Sequence, residues 1–313
     1  MTPGLSHPAL FYRSMREYTD VLARFVLEGL AGAQPVLVAA PPHNLAALRG
    51  VLGGAATAVT MADMTDVGRN PARILGGVLG TFADQHPQRR VRIIGEPVWA
   101  GRTAAEYPVC VQHEALINTA FAGRDVSVVC PYDATRLPAS VLADARSTHP
   151  ELWSRGARAI STDYAPGRAL QRYNRPLPTS PTAATYTVRR VTDLHRARSF
   201  AGRYARWSGL DADGVGDLKL ITTELATNSL EHAGGPCRLS FWQQDDHLIC
   251  EARDGGRFGD LLAGRRPVPA DGARGRGLFM VNALADLVRT HTGPTGTTIH
   301  AHLRLGPGRG NRA

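Results

Sequence analysis

Three polar residues stand four positions apart in the stretch "ELATNSLEHA", which lies in an apolar helical context. They are Glu224, Asn228 and His232, and a spacing of four places them on one face of a helix. At about 100° per residue, this face lies only about 50° around the helix from its apolar stripe. The stripe is formed by Leu218, Ile221 and Leu225. A merely solvated face would lie opposite the stripe, so this helix is expected to turn polar groups toward other buried polar groups or toward a ligand.

Two glycine-rich stretches further along the chain have the composition of a phosphate-binding pocket. The strand sequence "LICEA" runs into "RDGGRF", which puts Asp254 at a strand end with Gly255 and Gly256 directly after it. The stretch "GARGRGLFMV" brings Gly275 and Gly277 to the start of a predicted helix. Glycines before a helix let the backbone approach phosphates closely, and the helix N-terminus offers unpaired N–H groups and the positive end of its dipole.

Each residue type suits a different part of a magnesium–nucleotide complex. An aspartate at a strand end, such as Asp254, can accept a hydrogen bond from an exocyclic amine. The side-chain carbonyl of Asn228 is an oxygen ligand that Mg²⁺ tolerates when phosphates and waters fill the other positions. Glu224, one turn earlier on the same face, can take a proton from an attacking hydroxyl. Arg274 and Arg276 add positive charge beside the glycines. Each stretch alone is weak, but their order and placement together are hard to obtain by chance.

The periodic patterns of the second half predict the elements that hold these residues. Helices are expected over about 193–207, 214–233 and 275–287, and strands in "TYTVRRV", "CRLSFWQQ", "HLICEARD" and "TTIHAHLRL". The two middle strands are expected to form a hairpin across "DDH". Two helices on one face of a mixed sheet make an α/β two-layer sandwich.

The first half alternates helical and extended patterns, which predicts a mostly parallel sheet in an α/β/α arrangement. Helices are expected near 12–30, 43–52, 70–86, 104–122 and 137–148, separated by the strands "PVLVAA", "TAVTMAD", "VRIIGEP" and "VSVVCPY". The pattern dissolves over 159–183, which is rich in proline, serine and small residues and is predicted to be a non-helical linker. It separates a domain at 1–158 from one at 184–306, and the tail at 307–313 is predicted to be disordered.

Composition describes a globular protein with 43% hydrophobic and 20% charged residues among 313. No apolar run approaches the roughly 18 to 20 residues needed to span a bilayer, and no signal peptide is recognisable at the N-terminus. A cytoplasmic protein without membrane contact is therefore expected. The four cysteines, Cys110, Cys130, Cys237 and Cys250, are far apart and form no CxxC pair, which favours buried free thiols over a zinc knuckle or a disulfide framework.

The net charge of +9 comes almost wholly from arginine, since Lys219 is the only lysine. Neither a basic run nor a stacking aromatic motif accompanies it, so direct nucleic acid binding is not expected. An acidic protein partner and the phosphates of a nucleotide account for the arginines equally well.

The second half resembles the GHKL ATPase domain shared by histidine kinases, gyrase-type enzymes and the serine kinases that act as bacterial anti-sigma factors. The resemblance covers about residues 184–306. It implies that "ELATNSLEHA" is the asparagine box, with Glu224 the base and Asn228 the Mg²⁺ ligand. It also implies that Asp254 and Gly256 belong to the first glycine box, where the aspartate binds the adenine amino group of ATP.

The same resemblance implies that "GRGLFMV" is the second glycine box and lies against the phosphates. Its residues are Gly275, Arg276, Gly277 and Leu278, and Thr297 in "GTTI" matches the threonine near the adenine. One position departs from the family, because the usual first box is DxGxG and Phe258 stands at its second glycine. This departure, like the short segment between the boxes, bears on lid geometry and nucleotide affinity more than on the existence of the pocket.

The compact order of strand, helix and asparagine box resembles the anti-sigma serine/threonine kinases. It implies a protein that binds Mg-ATP, captures a sigma factor or an anti-anti-sigma protein, and phosphorylates a serine or threonine of the latter. Two alternatives stay open. One is a non-catalytic module in which ATP only orders the lid and the sigma factor is sequestered. The other is a cytoplasmic sensor histidine kinase, but the proline-rich stretch offers no acceptor helix and His195 lies inside the domain.

The first half lacks the GxxxxGK[ST] pattern, because the loop after "PVLVAA" reads "PPHNL". It resembles the MEDS sensory domain in "SHPALFYRS", "FVLEGL", "LINTAF", "CPYDATRLP" and "THPEL", over about residues 5–152. This resemblance implies a sensor of an unidentified small molecule. The oligomeric state stays open, a homodimer included.

Ligands of such a sheet bind by default outside the carboxyl ends of its strands. The side chains expected there are His43, Glu96, Trp99, Tyr132 and Asp133. For each of them an ordinary loop or core role is the competing interpretation.

A metal site in the first half is not predicted from the sequence. His7, Tyr12, His113 and His149 carry side chains that can bind metals, but their spacings are unlike those of known clusters.

Overall fold

The computed structural model describes residues 4–266 and 276–306. The chain divides into two compact units, the first ending at Tyr173 and the second beginning at Asn174. Within the described residues, no helix combines the length and the apolar character needed to span a bilayer.

The first unit contains seven strands and eight α-helices among its described residues. In chain order they are β1 (Pro8–Tyr12), α1 (Met15–Ala31), β2 (Val36–Ala40), α2 (Pro42–Leu52), β3 (Thr60–Asp63), α3 (Met64–Val67), α4 (Pro71–Ile74), α5 (Thr81–Asp84), β4 (Val91–Gly95), α6 (Tyr107–Ala120), β5 (Val126–Asp133), α7 (Ala139–Thr148), β6 (Glu151–Ser154), β7 (Ala157–Ile160) and α8 (Pro166–Tyr173). A π-helical turn, Leu75–Gly80, joins α4 to α5.

The seven strands form one sheet in the order β3-β2-β4-β5-β1-β6-β7. All pairs are parallel except β6 with β7, which is antiparallel at the edge. Side chains that alternate along β5 reach opposite faces. Val129 joins the core under α1 and α2, whereas Cys130 contacts Glu114 on α6. The sheet therefore lies between two helical layers, which confirms the predicted α/β/α arrangement.

Three strands of the first unit were not predicted. β1 lies between β5 and β6 and is buried at all five positions, and β6 and β7 extend the sheet beyond it. The sequence "PALFY" is short and uniformly apolar, so it carries no alternation that distinguishes a strand from a buried helical segment.

The stretch 159–183 is not the non-helical linker that its composition predicts. It contains the end of β7 and the whole of α8, and it divides between the two units. The Tyr107 and Tyr173 rings pack edge to face, and both hydroxyls bond the buried Asp144 carboxylate. The prediction failed because proline at a first helical position is compatible with a helix, and Pro166 stands at that position.

The second unit contains five strands and three α-helices among its described residues. In chain order they are β8 (Ala184–Val188), α9 (Leu194–Trp207), α10 (Ala212–Asn228), β9 (Cys237–Gln244), β10 (His247–Asp254), α11 (Arg276–Leu284), β11 (Leu287–Gly293) and β12 (Gly296–Arg304). The strand order is β11-β12-β10-β9-β8. Every pair is antiparallel, so the predicted mixed sheet is wrong while the two-layer sandwich is confirmed.

β11 was not predicted, because the last helix was expected to continue to Leu287. The helix ends at Leu284, and "LVRTHTG" pairs with β12 in an antiparallel hairpin. Gly296 makes this hairpin possible, since its φ of +128° suits glycine and an added Cβ would lie 1.9 Å from the Asp254 carbonyl oxygen.

The face of the second sheet that points away from the helices is covered in part by residues 174–183. Glu251 on β10 accepts hydrogen bonds there from Thr179 at 2.7 and 2.8 Å, from Ser240 at 3.0 Å and from the His300 ring at 3.0 Å. Burial by itself raises the pKa of Glu251, but these bonds outweigh it and leave the pKa below its ordinary value. The network fixes the strand that ends at Asp254.

Candidate nucleotide-binding site

Helix α10 carries the first part of the candidate site. Asp211 caps its N-terminus by accepting a hydrogen bond from the Gly214 N–H at 2.7 Å. The apolar stripe Leu218, Ile221 and Leu225 is buried against the sheet, as its spacing predicts. Glu224 and Asn228 stand beside the stripe and are half-buried. They therefore face the edge of the core rather than open solvent.

His232 does not share this position. After Asn228 the helix widens into a π-helical turn, Ser229–Ala233, which ends at Gly234 in the left-handed conformation. Because the wider turn changes the angular spacing, His232 leaves the polar line and is exposed. The predicted line of three polar groups is reduced to two.

The start of α11 packs directly against the polar face of α10. A Cβ added at Gly277 would lie 2.6 Å from Glu224 Oε2, 3.4 Å from Asn228 Nδ2 and 3.5 Å from its Oδ1. No side chain fits at this position without displacing the carboxylate. The structure thus brings the second glycine box to the asparagine box, with Arg276 exposed and Leu278 half-buried beside it. Gly275 lies outside the described residues.

The side-chain amide of Asn228 does not make all the hydrogen bonds that it can form. Its Nδ2 atom is buried and has no hydrogen-bond partner within the described part of the chain. A buried polar group left unpaired costs about 1 to 3 kcal/mol, and in a native structure it is often explained by a ligand, a water or an ion. The unpaired amide N–H can donate a hydrogen bond to a phosphate oxygen or a water, whereas the carbonyl oxygen of the same side chain is the atom that could bind a metal ion.

Asp254 is the last residue of β10, and hydrogen bonds hold both oxygens of its carboxylate in place. Its Oδ2 accepts a hydrogen bond from the Ser229 hydroxyl at 2.6 Å, and its Oδ1 accepts one from the Gly256 N–H at 2.9 Å. Each oxygen keeps a further lone pair, so the fixed carboxylate can still accept a hydrogen bond from a ligand. The sequence did not single out Ser229, although it directly follows Asn228 in the quoted stretch.

Thr297 lies opposite Asp254 in the register of β12 and β10. Its hydroxyl donates to the Gly256 carbonyl oxygen at 2.8 Å and lies 3.3 Å from the Thr292 hydroxyl. Gly256 itself is enclosed, because an added Cβ would lie 2.6 Å from the Ala233 Cβ. The structure therefore gathers Asp254, Gly256 and Thr297 into one cluster at the strand end.

Phe258, which departs from the usual glycine, is half-buried. Its N–H donates to the Thr292 hydroxyl at 3.2 Å and ties the chain after the first glycine box to β11. Further along, the Gly264 carbonyl oxygen accepts a hydrogen bond from Asn282 on α11 at 2.8 Å. Both described ends of the segment between the glycine boxes are thus attached to the domain, whereas residues 267–275 lie outside the described part.

The first unit carries a second candidate site at the carboxyl ends of β2 and β4. Glu96, just after β4, is buried and accepts hydrogen bonds from the Asn44 amide at 2.8 and 2.9 Å and from the Tyr18 hydroxyl at 3.1 Å. Chain order reverses between these two strands, which is where ligands of such sheets bind. Of the residues expected at this edge, Glu96 is central to the cluster.

The other predicted residues of this edge have separate surroundings. His43 is exposed on α2, and Trp99 stacks under the Arg102 guanidinium at 3.8 Å. Tyr132 bonds Glu114, and Asp133 caps the following turn by accepting from the Thr135 N–H at 2.9 Å. The sequence missed Tyr18 and Asn44, which lie on helices rather than at strand ends.

Glu96→Gln is expected to alter the pH dependence of stability in the first unit. Burial raises the pKa of Glu96 to about 8 against an ordinary 4.5 and outweighs the Asn44 and Tyr18 hydrogen bonds. The neutral form therefore stabilises the fold below about pH 4.5, and this contribution is lost as pH rises toward 8. At about 1.4 kcal/mol per pH unit, the variant should gain up to about 4 kcal/mol relative to wild type between pH 5 and pH 8.

Hydrogen exchange of first-unit peptides, compared between variant and wild type at each pH, measures this gain. The exposed carboxylate of α1 in Glu28→Gln serves as the control and should show no such trend. A variant whose relative protection is the same at pH 5 and pH 8 contradicts the assignment.

The second unit combines an antiparallel sheet and a helical layer with an aspartate at a strand end and with a helix start that packs against Glu224 and Asn228. Residues 188–303 match the family model described as the histidine kinase-like ATPase domain. Residues 6–150 match the model of MEDS, the MEthanogen/methylotroph, DcmR Sensory domain. The chain is therefore a MEDS sensory domain followed by a histidine kinase-like ATPase domain.

The solved structures that resemble the chain include the RsbU and RsbW domains of Rv1364c from Mycobacterium tuberculosis. The likeness has a TM-score of 0.31 at 18% identity and covers 41% of this chain and 35% of that one. The chain thus spans about a third of that structure, and a likeness of this size adds nothing to the fold described above. No curated protein matches the chain.

Proposed function

We propose that the chain is an ATP-dependent regulator in which the second unit binds Mg-ATP and phosphorylates a serine or threonine of a protein partner. The observation that carries this proposal is the contact of Gly277 with Glu224 and Asn228. It brings a carboxylate and an amide together with a glycine in the first turn of a helix. A catalytic base, an oxygen ligand and a phosphate-binding backbone are the parts that phosphoryl transfer needs.

Each residue has a distinct part in this proposal. Asp254, held by Ser229 and Gly256, accepts a hydrogen bond from the adenine amino group, with Thr297 beside it. Gly277 with the neighbouring Gly275, Arg276 and Leu278 lies against the phosphates. Mg²⁺, when bound, neutralises phosphate charge, and Asn228 is its protein ligand.

Glu224 is the general base for the hydroxyl group of the protein partner. Its carboxylate takes the proton of the attacking hydroxyl while the hydroxyl oxygen bonds to the γ-phosphorus and the bond from that phosphorus to ADP breaks. No covalent enzyme intermediate is needed. The products are ADP, the phosphoserine or phosphothreonine of the partner, and a proton that Glu224 returns to solvent.

The partner class in this proposal is a sigma factor or an anti-anti-sigma protein in the cytoplasm. The resemblance of the second half to anti-sigma kinases supports it, and the net charge of +9 suits an acidic protein surface. The MEDS domain in front of the kinase would supply the signal, and the cluster around Glu96 is where we place its small-molecule ligand.

Labelled ATP and a partner captured from the native cytoplasm test this proposal. Label that appears on the partner and survives acid treatment supports transfer to serine or threonine. Acid-labile label on the chain itself indicates a histidine kinase instead.

A second candidate function, sequestration without chemistry, is favoured by Phe258. A half-buried phenylalanine at a glycine position of the first box changes the segment that covers the nucleotide. In that case ATP increases partner capture in a pull-down, yet no label is transferred to any captured protein. Capture with and without ATP, followed by the label assay on the same sample, distinguishes the two functions.

A further inference from the structure

Four potential metal ligands meet inside the first unit, and none of them belongs to either site described above. His7 precedes β1, Glu114 lies on α6, Cys130 lies on β5 and His149 follows α7. All four are buried, and their ligand atoms lie within 4.8 Å of one another. They come from four elements of one unit, so the cluster sits where the sheet meets its second helical layer.

Four of the six separations between the ligand atoms are close to those of a tetrahedral ion site, and the other two, from His149 to His7 and to Cys130, are within 4.8 Å. Glu114 Oε2 lies 3.2 Å from Cys130 Sγ, 3.3 Å from His149 Nε2 and 3.4 Å from His7 Nε2, and the Cys130 sulfur lies 3.5 Å from His7 Nε2. Zinc with nitrogen or oxygen at about 2.0 to 2.1 Å and sulfur at about 2.3 Å places its tetrahedral ligands about 3.3 to 3.6 Å apart.

The hydrogen bonds around the histidines orient them as ligands. His149 Nδ1 lies 2.8 Å from the Ala145 carbonyl oxygen, an acceptor, so Nδ1 carries a proton, and in the neutral ring Nε2 then carries a lone pair. Correspondingly, His149 Nε2 is buried and has no hydrogen-bond partner among the described residues. His7 Nδ1 lies 3.1 Å from Asn118 Oδ1, and the Asn118 amide nitrogen donates to the Thr148 carbonyl oxygen at 2.8 Å.

That arrangement leaves the Nε2 atom of each neutral ring inside the cluster with a lone pair available for a metal ion. Outer partners that hold the far ring nitrogen are typical of metal-bound histidine. The Tyr132 hydroxyl supplies the equivalent support for Glu114 by donating to its other oxygen, Oε1, at 3.1 Å.

Charge balance points the same way. Glu114 is almost completely buried, and so are the two histidines and the thiol around it. A buried carboxylate needs a cation. A divalent ion with one carboxylate and one thiolate makes a site of zero net charge, once the Cys130 thiol has released its proton to solvent.

We propose that His7, Glu114, Cys130 and His149 bind one zinc ion. Mixed nitrogen, sulfur and oxygen donors in a tetrahedron suit zinc better than Mg²⁺ or Ca²⁺, which prefer oxygen alone. Four protein ligands fill the coordination sphere, so the ion is structural and ties β1, β5, α6 and the end of α7 together.

Metal content and cobalt spectra of the full chain test the site directly. Protein produced with zinc and purified without a histidine tag should hold about one zinc per chain. Replacement by Co²⁺ should give the near-ultraviolet band of thiolate-to-cobalt charge transfer. This band requires a cysteine ligand, so metal bound at the nucleotide site of the second unit does not produce it.

Variants locate the ion at these residues. Cys130→Ala should abolish the charge-transfer band. It should also weaken zinc binding by more than about 100-fold, because loss of a residue that only hydrogen-bonds a ligand already costs about 10- to 100-fold. Tyr132→Phe removes one hydroxyl and should cost about 10-fold at the low end of that range. Cys110→Ala is the control. It removes a different buried thiol, which lies on α6 and donates to the Pro97 carbonyl oxygen, and it should change neither the charge-transfer band nor zinc binding.

The wild-type chain decides the matter even if a variant fails to fold. A folded wild-type chain that carries no zinc, takes up none at one equivalent and gives no charge-transfer band with cobalt overturns the proposal. The cluster would then be a buried imidazolium–carboxylate pair. Nucleotide binding by the second unit is measured separately, so neither result depends on the proposed kinase function.

Discussion

Glu224→Gln is expected to lower phosphoryl transfer by about 10²- to 10⁴-fold, the contribution of a positioned general base. Glutamine keeps the shape of the side chain and its contact with Gly277 but cannot accept the proton of the attacking hydroxyl. ATP binding should change by no more than a few fold, because Glu224 is not among the residues assigned to adenine or metal. The rate of label transfer from ATP to the captured partner measures the effect.

Glu231→Gln is the matched control for this variant. Glu231 lies in the π-helical turn that continues α10, and its carboxylate is exposed. It should transfer phosphate at the wild-type rate. Equal rates in wild type and Glu224→Gln would remove Glu224 from the mechanism. Loss of transfer together with loss of ATP binding would indicate a collapsed pocket instead of a missing base.

Asp254→Ala is expected to weaken ATP binding by about 10- to 150-fold, which corresponds to the roughly 1.5 to 3 kcal/mol of a hydrogen bond to a charged group. The carboxylate is positioned before the nucleotide arrives, since Ser229 and Gly256 hold its two oxygens. Its loss should affect adenine nucleotides most. The Asp254→Ala variant should therefore discriminate poorly between ATP and GTP in an equilibrium binding assay.

Asp133→Ala controls for the local cost of removing such a residue. Asp133 also ends a strand, and its Oδ1 accepts a hydrogen bond from the N–H two residues on at 2.9 Å, as Asp254 does. It lies in the first unit, so ATP affinity should stay at the wild-type value. Retention of tight, adenine-selective binding in Asp254→Ala would refute the assigned role.

The sequence predicted best where local pattern and final structure coincide. The helix spacing of Leu218, Ile221 and Leu225 and the strand end at Asp254 follow from short-range periodicity, and both are found. β11 was missed because "LVRTHTG" is a strand only through its pairing with β12. α8 was missed because a proline-rich composition concealed a proline at a helix start.

The spacing of residues along the sequence could not predict contacts between positions that are far apart in the chain. His7 and Cys130 are 123 residues apart in the chain and 3.5 Å apart in space, so no local pattern could indicate the four-ligand cluster. The roles of Ser229 and Asn44 became visible only through the carboxylates that they bond, Asp254 and Glu96. His232 shows the converse, since a regular spacing of four ended at a π-helical turn.

The central claim is that the second unit contains one pocket for a magnesium–adenine nucleotide complex. Equilibrium titration of the purified full chain with ATP tests it most directly. We predict one saturable site per chain, weakened when Mg²⁺ is removed and weakened again in Asp254→Ala. A folded chain that shows no saturable ATP binding in the presence of Mg²⁺ would contradict the claim.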